Sequence, residues 1–210
     1  MKTRSNRFYH VLLSLFAGLL FSLSANASVI LIHGDSLSAG YGLATGEEWP
    51  ALLQQTLTPS HPHYKVINSS LSGETTTGGL ARFDALLLQH KPTVVVLELG
   101  ANDGLRGQSL DTMRNNLVQM IEKSQAIQAR VLLLGIMIPP NYGARYSNAF
   151  HQVFHQLAAH YQLPLVPFFL EGVAGVDGLM QQDGLHPKAE AQSIILQNIT
   201  KTLEPLLQKT

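Results

Sequence analysis

Val94-Val95-Val96-Leu97-Glu98-Leu99, followed at once by Gly100-Ala101-Asn102-Asp103-Gly104, decides the fold class of this chain. Its first six residues are almost continuously apolar. They lack the in–out alternation of a sheet with one wet face. A run of this kind suits a strand buried on both faces, as in a parallel sheet covered by helices. The polar, glycine-containing residues after it mark an abrupt strand end.

Working outward, the same pattern recurs. Val29–His33, Lys65–Asn68, Val131–Met137 and Leu165–Phe168 read as further strands. Helix-length stretches separate them. Glu48–Leu57 carries Trp49, Leu52, Leu53 and Leu57, and Gly78–Gln89 carries Leu80, Phe83 and Leu86–Leu88. From Ser109 to Gln125, Leu110, Met113, Leu117, Met120 and Ile121 keep helical spacing, with Ser109 as N-cap. Arg145–Tyr161 is a fourth helix. The last is expected to begin at Pro187, since proline suits a first helical position. Five strands alternating with five helices predict a doubly wound, three-layer α/β/α sandwich. Ligands in such folds bind beyond the carboxyl ends of the strands.

The 210 residues are not all expected to fold. Lys2, Arg4 and Arg7 precede an apolar run, roughly Val11 to Leu23, and then Ala25-Asn26-Ala27. That is the layout of a secretory signal peptide cleaved after Ala27. Residues 28–210 then form one domain, expected in the periplasm or outside the cell. The leader holds three of the 14 basic residues and none of the 14 acidic ones, leaving 11 bases against 14 acids, about −3. A mildly acidic domain is poorly suited to nucleic acid, whose binding rests on basic patches. The chain has no cysteine, which excludes disulfides, thiolate catalysis and cysteine metal sites.

Chemistry-bearing residues fall where this fold places ligands. Gly34-Asp35-Ser36-Leu37 follows the first strand, and Ser70-Leu71-Ser72-Gly73-Glu74 the second. Gly100-Ala101-Asn102-Asp103 follows the third, and Asp183-Gly184-Leu185-His186-Pro187 precedes the last helix. A serine hydroxyl needs a base to take its proton. His186 can be that base for Ser36, and Asp183, three residues earlier, can fix its tautomer. The backbone N–H groups of Ser36 and Gly73 and the Asn102 amide can hold an oxyanion. Each segment alone also reads as an ordinary turn or helix cap. That explanation has to be invoked four times, at successive strand ends.

With these motifs the sequence resembles the SGNH (GDSL-type) hydrolases. Ser36, Gly73, Asn102 and His186 match the four residues of that name. The resemblance spans residues 28–210 and no motif is missing. Within the family it extends to periplasmic bacterial thioesterases also described as lysophospholipases and arylesterases. Leu37-Ser38-Ala39-Gly40-Tyr41, Gly79-Leu80-Ala81-Arg82, Asn102-Asp103-Gly104-Leu105-Arg106-Gly107 and Asn141-Tyr142-Gly143 carry it. It implies a flavodoxin-like sheet in order 2-1-3-4-5 and hydrolysis of esters and thioesters, lysophospholipids included. It further implies that no metal or cofactor takes part. The protein is expected to be a monomer.

Competing readings are an acetyl esterase acting on cell-wall or extracellular polysaccharide, and a non-catalytic binding protein that has kept the fold. Leu105, Leu110, Pro140 and Tyr142 either line an apolar acyl groove or close the core, and Glu171–Met180 is expected to border the acyl site. His33 reads as a strand-end residue and not as the base. Asp35 and Asp103 are expected to brace their loops. Tyr41, Trp49, Phe168 and Phe169 read as core or pocket wall. His151 and His155 stand four apart on a helix, but the glutamate of a His-Glu-x-x-His zinc site is absent. They are expected on a solvated face.

Overall fold

The computed structural model describes residues 28–207, so the leader expected over 1–27 lies outside the described residues. The strands are β1 (Ser28–Gly34), β2 (Tyr64–Asn68), β3 (Val94–Glu98), β4 (Arg130–Leu134) and β5 (Leu165–Val166). They form one five-stranded sheet in order β2-β1-β3-β4-β5, every pairing parallel. The order is the one expected, and so is the burial. Ile30–Ile32 and Val94–Leu97 are wholly inaccessible, because helices cover both faces.

Those helices are α1 (Ser36–Ala39), α2 (Trp49–Ser60), α3 (Thr76–His90), α4 (Ala101–Leu105), α5 (Leu110–Ala126), α6 (Ala144–Tyr161) and α7 (Ala189–Leu203). α2 packs with α7, and α5 lies between α3 and α6. The long helices follow the apolar spacing, with Met113, Leu117, Met120 and Ile121 of α5 all fully buried. Ser109 caps α5 through its side chain, accepting the Thr112 N–H at 3.3 Å.

The structure corrects three expectations. α1 and α4 are short helices where the sequence suggested only turns. They hold only four and five residues, too few for periodicity to register.

Second, β4 stops at Leu134 and does not reach Met137. Its neighbour β5 holds only two residues, because Pro167 has no N–H for the ladder. A Cβ at Gly135 would lie 2.2 Å from the Pro167 carbonyl oxygen, so glycine is needed for this crossing. Ile136–Ile138 therefore leave the sheet and run along its carboxyl edge.

Third, α7 begins at Ala189, not Pro187. Pro187 instead bridges Met180 antiparallel. The Gln181 N–H donates to the His186 carbonyl at 2.7 Å and the Lys188 N–H to that of Leu179 at 2.8 Å. These bonds close residues 181–186 into a loop with a fixed base.

Candidate active site

Parallel pairing puts Gly34 beside Glu98, so the chain leaves β1 and β3 at the same level. Ser36 is the first residue of α1 and Asn102 the second of α4. Asp35 ties the two departures together. One of its carboxylate oxygens accepts the Leu37 N–H at 3.0 Å, capping α1. The other accepts from the Asn102 side-chain amide at 3.2 Å. Asp103 braces α4 against α3, accepting from the Thr76 N–H at 2.9 Å. The bracing expected of both aspartates is found.

The Asp183–His186 loop approaches from the far end of the chain. The Ser36 hydroxyl donates to His186 Nε2 at 2.9 Å, and His186 Nδ1–H donates to Asp183 Oδ2 at 2.7 Å. Asp183 Oδ1 accepts the N–H groups of Leu185 and His186 at 2.9 and 3.0 Å. Burial pushes the Asp183 carboxyl up, but the hydrogen bonds from the His186 ring and these two N–H groups outweigh it and hold it at about 2. A depressed carboxylate stays charged and paired through neutral and mildly acidic pH. The pairing is lost only as pH falls through that value. The Tyr41 ring lies 4.4 Å from that of His186, and Gln181 Nε2 ties the Tyr41 and Pro187 carbonyls at 2.7 and 3.1 Å.

Gly73 stands in the same groove as Ser36 and Asn102. Glycine is needed there for its backbone. Its φ is +78°, and an added Cβ would meet nothing closer than 3.6 Å. That left-handed turn aims the peptide. Arg106 holds that peptide by donating to the Gly73 carbonyl at 3.0 Å.

The groove has a volume of about 630 Å³, within the usual range for small-molecule sites. Leu105, Ile136, Met137, Ile138, Phe168 and Leu170 give it an apolar wall, and Ala174, Gly175 and Met180 border it from the segment expected there. Leu110 is not in the wall but packs against the core. Tyr142 also stands outside it, and its hydroxyl donates to the Leu105 carbonyl at 2.9 Å. Pro140 opens a 3-10 turn next to Pro139 of the wall. Tyr41 and Phe168 are wall residues, whereas Trp49 and Phe169 are fully buried core. His33 is fully buried in β1, and its Nε2–H donates to the Gly79 carbonyl at 3.1 Å. Burial, then the nearby Arg82 charge, holds it down to about 4, and it stands apart from Ser36.

Glu98 was missed at the sequence level. It is a buried carboxyl under the serine loop, accepting from the Ser38 hydroxyl at 2.7 Å and the Asp35 N–H at 3.2 Å. A Cβ at Gly34 would lie 2.5 Å from it, so glycine is required for the loop to settle there. Burial, then the Asp35 charge, pushes Glu98 well up, and burial pushes Asp35 up too. Both carboxyls accept hydrogen bonds, but burial and the Asp35 charge push Glu98 up the more strongly of the two, so Glu98 is the better holder of the proton.

A test follows. A carboxyl whose folded-state pKa is raised keeps a proton that the unfolded chain releases, so stability falls as pH rises from about 4.3 through the folded value. Glu98→Gln retains an acceptor oxygen and cannot ionise. Its urea midpoint should fall less between about pH 5.5 and about pH 8.5 than that of the parent. Equal falls would show that Glu98 does not hold the proton.

A hydrogen-bonded serine–histidine–aspartate chain at the carboxyl edge of a flavodoxin-like sheet defines a class of hydrolase rather than one protein. Residues 32–194 match the GDSL-like lipase/acylhydrolase family, and the chain belongs to that family and is an enzyme. Among individual proteins it is similar to Esterase TesA of Pseudomonas aeruginosa, 52% identical over 188 residues covering 90% of this chain and 94% of the relative. It is also similar to Thioesterase 1/protease 1/lysophospholipase L1 of Escherichia coli K12, 44% identical over 193 residues covering 92% and 91%. A crystal structure of TesA superposes with a TM-score of 0.84 at 52% identity, covering 86% of this chain and all of that one.

Proposed function

We propose that the protein hydrolyses acyl esters and thioesters through an acyl-serine intermediate on Ser36. The observation that carries this reading is the chain Ser36 Oγ–His186 Nε2 at 2.9 Å and His186 Nδ1–Asp183 Oδ2 at 2.7 Å, opening on an apolar groove. His186 Nε2 takes the hydroxyl proton as Ser36 Oγ bonds to the acyl carbon. Asp183 keeps the imidazole in the right tautomer and stabilises its charge. The carbonyl oxygen becomes an oxyanion facing the Ser36 and Gly73 N–H groups and the second N–H of Asn102. Each such donor is worth about 10²–10³ in rate. The leaving alcohol or thiol takes the proton from His186. A water then repeats the sequence and frees the acid and Ser36.

Names of relatives support ester, thioester and lysophospholipid substrates. So does the rim. Tyr41, Leu71, Met137, Tyr142, Val176 and Leu185 are exposed apolar side chains, and each lines the groove or adjoins a residue that does. We assign residues 1–27 to export, which puts the folded domain in the periplasm, and we take it to act there as a monomer. There lipid esters are more accessible than cytosolic thioesters. Among the described residues no helix is long and apolar enough to cross a membrane.

The test is a fluorophosphonate probe followed by a substrate panel. One label per chain, on Ser36, is expected. Medium-chain esters and lysophospholipids should be cleaved faster than acetylated saccharides. A preference for acetylated saccharides would replace this reading with the polysaccharide acetyl esterase. Absence of labelling would leave a binding protein.

A further inference from the structure

His151 and His155 do not lie on a solvated face. Both are half-buried on α6, and their Nε2 atoms are 3.1 Å apart. His151 Nδ1 donates to the Ile136 carbonyl at 3.2 Å, in the segment that walls the groove. A carbonyl can only accept, so the proton of neutral His151 is on Nδ1 and its Nε2 carries a lone pair. The His155 Nε2–H points into that lone pair. The rings stand edge to face, with centroids 4.7 Å apart.

We propose that His151 and His155 form a two-histidine binding site for a divalent transition-metal cation of the zinc, copper and nickel group. The bite fits. With metal–nitrogen bonds of about 2.0–2.1 Å, nitrogens 3.1 Å apart subtend about 100° at the metal. That lies between the square and tetrahedral angles, so the helix can stay in place. The proton balance is simple. His155 moves its proton from Nε2 to Nδ1, and the rings turn by about 40° from facing each other so that both Nε2 lone pairs meet at the ion. His151 already has the support a ligand needs, its other ring nitrogen fixed by a backbone carbonyl.

Donor chemistry sets the cation. Two imidazoles without a carboxylate suit zinc, copper or nickel and not magnesium or calcium. Among the described residues there is no group of three or more histidine, cysteine or acidic side chains placed to share an ion. Water therefore completes the coordination. The site stands independently of the serine chemistry, and its test does not depend on activity.

The experiment uses the tag-free chain, stripped with chelator, and titrates Zn²⁺ by calorimetry and Cu²⁺ by electron paramagnetic resonance. One ion per chain is expected, with two nitrogens coupled to copper and no heat from Mg²⁺. Binding should weaken at least about tenfold in His151→Gln and in His155→Gln, since even lost outer-sphere support costs about 10–100-fold. His160→Gln, on the exposed end of the same helix, should bind like the parent. Glutamine at 151 can still donate to Ile136, and position 155 makes no bond to the wall, so both variants should fold. Unweakened binding in both variants, or no binding by the parent, overturns the proposal.

Discussion

Ser36→Ala is expected to reduce ester hydrolysis by a factor on the order of 10⁶ in kcat while the fold persists. The size follows from losing the only atom that bonds to the acyl carbon. In serine hydrolases, loss of the nucleophile costs about as much as loss of the whole catalytic set. KM should change far less, because the apolar groove is untouched. Stability should change by less than about 0.5 kcal/mol, since the hydroxyl's one side-chain bond is to His186 at a partly exposed site. Rates measured with a chromogenic ester, beside matched urea unfolding, check both halves. Near-parental turnover in a folded variant would remove Ser36 as the proposed nucleophile.

Asp183→Asn is expected to lower kcat by about 10³–10⁴, although it removes only one charge. The geometry gives the reason. Asp183 Oδ1 is fixed by the Leu185 and His186 N–H groups, so an asparagine must place its carbonyl oxygen there. Its NH₂ then faces His186 Nδ1. Two donors cannot share one bond, so the ring moves its proton to Nε2 and presents N–H to Ser36 where a lone pair is needed. The loop should stay closed, because its backbone bonds survive. Stopped rates with an ester, together with ¹⁵N shifts of the imidazole, report rate and tautomer in one sample. A parental tautomer with a reduced rate would point to lost charge stabilisation and not to misorientation.

Much of this was legible in the sequence because it is local. The both-faces burial of Val94–Leu97 follows from an apolar run without alternation, and the structure keeps all four wholly inaccessible. Asp183 and His186 are three residues apart, so their pairing could be read from spacing. Boundaries were less legible. Nothing near Met137 says that β4 ends at Leu134, because the cause is Pro167, immediately after the neighbouring strand. Pro187 reads as a helix start until the bridge to Met180 is seen.

Partners distant in the chain were not legible. Glu98 looks like one more residue of a strand, and only the fold puts it under Ser38 and the Asp35 N–H, about 60 residues away. Gln181 reaches Tyr41 across 140 positions. Arg106 finds the Gly73 carbonyl, and His151 finds Ile136, in the same way.

The sequence by itself determined the layers, singled out the residues proposed to react and, through the family it resembles, implied the sheet order. The layers and the candidate residues depend on hydrophobic period, turn chemistry and short spacings, which act within a few residues. Tertiary structure alone decided that Ser36 and His186 meet at 2.9 Å across 150 positions, and that Leu110 packs in the core while Ile136 and Phe168 form the wall. Such contacts depend on where strands stop and how loops are tied, and those are set by packing between segments that carry no mark of one another.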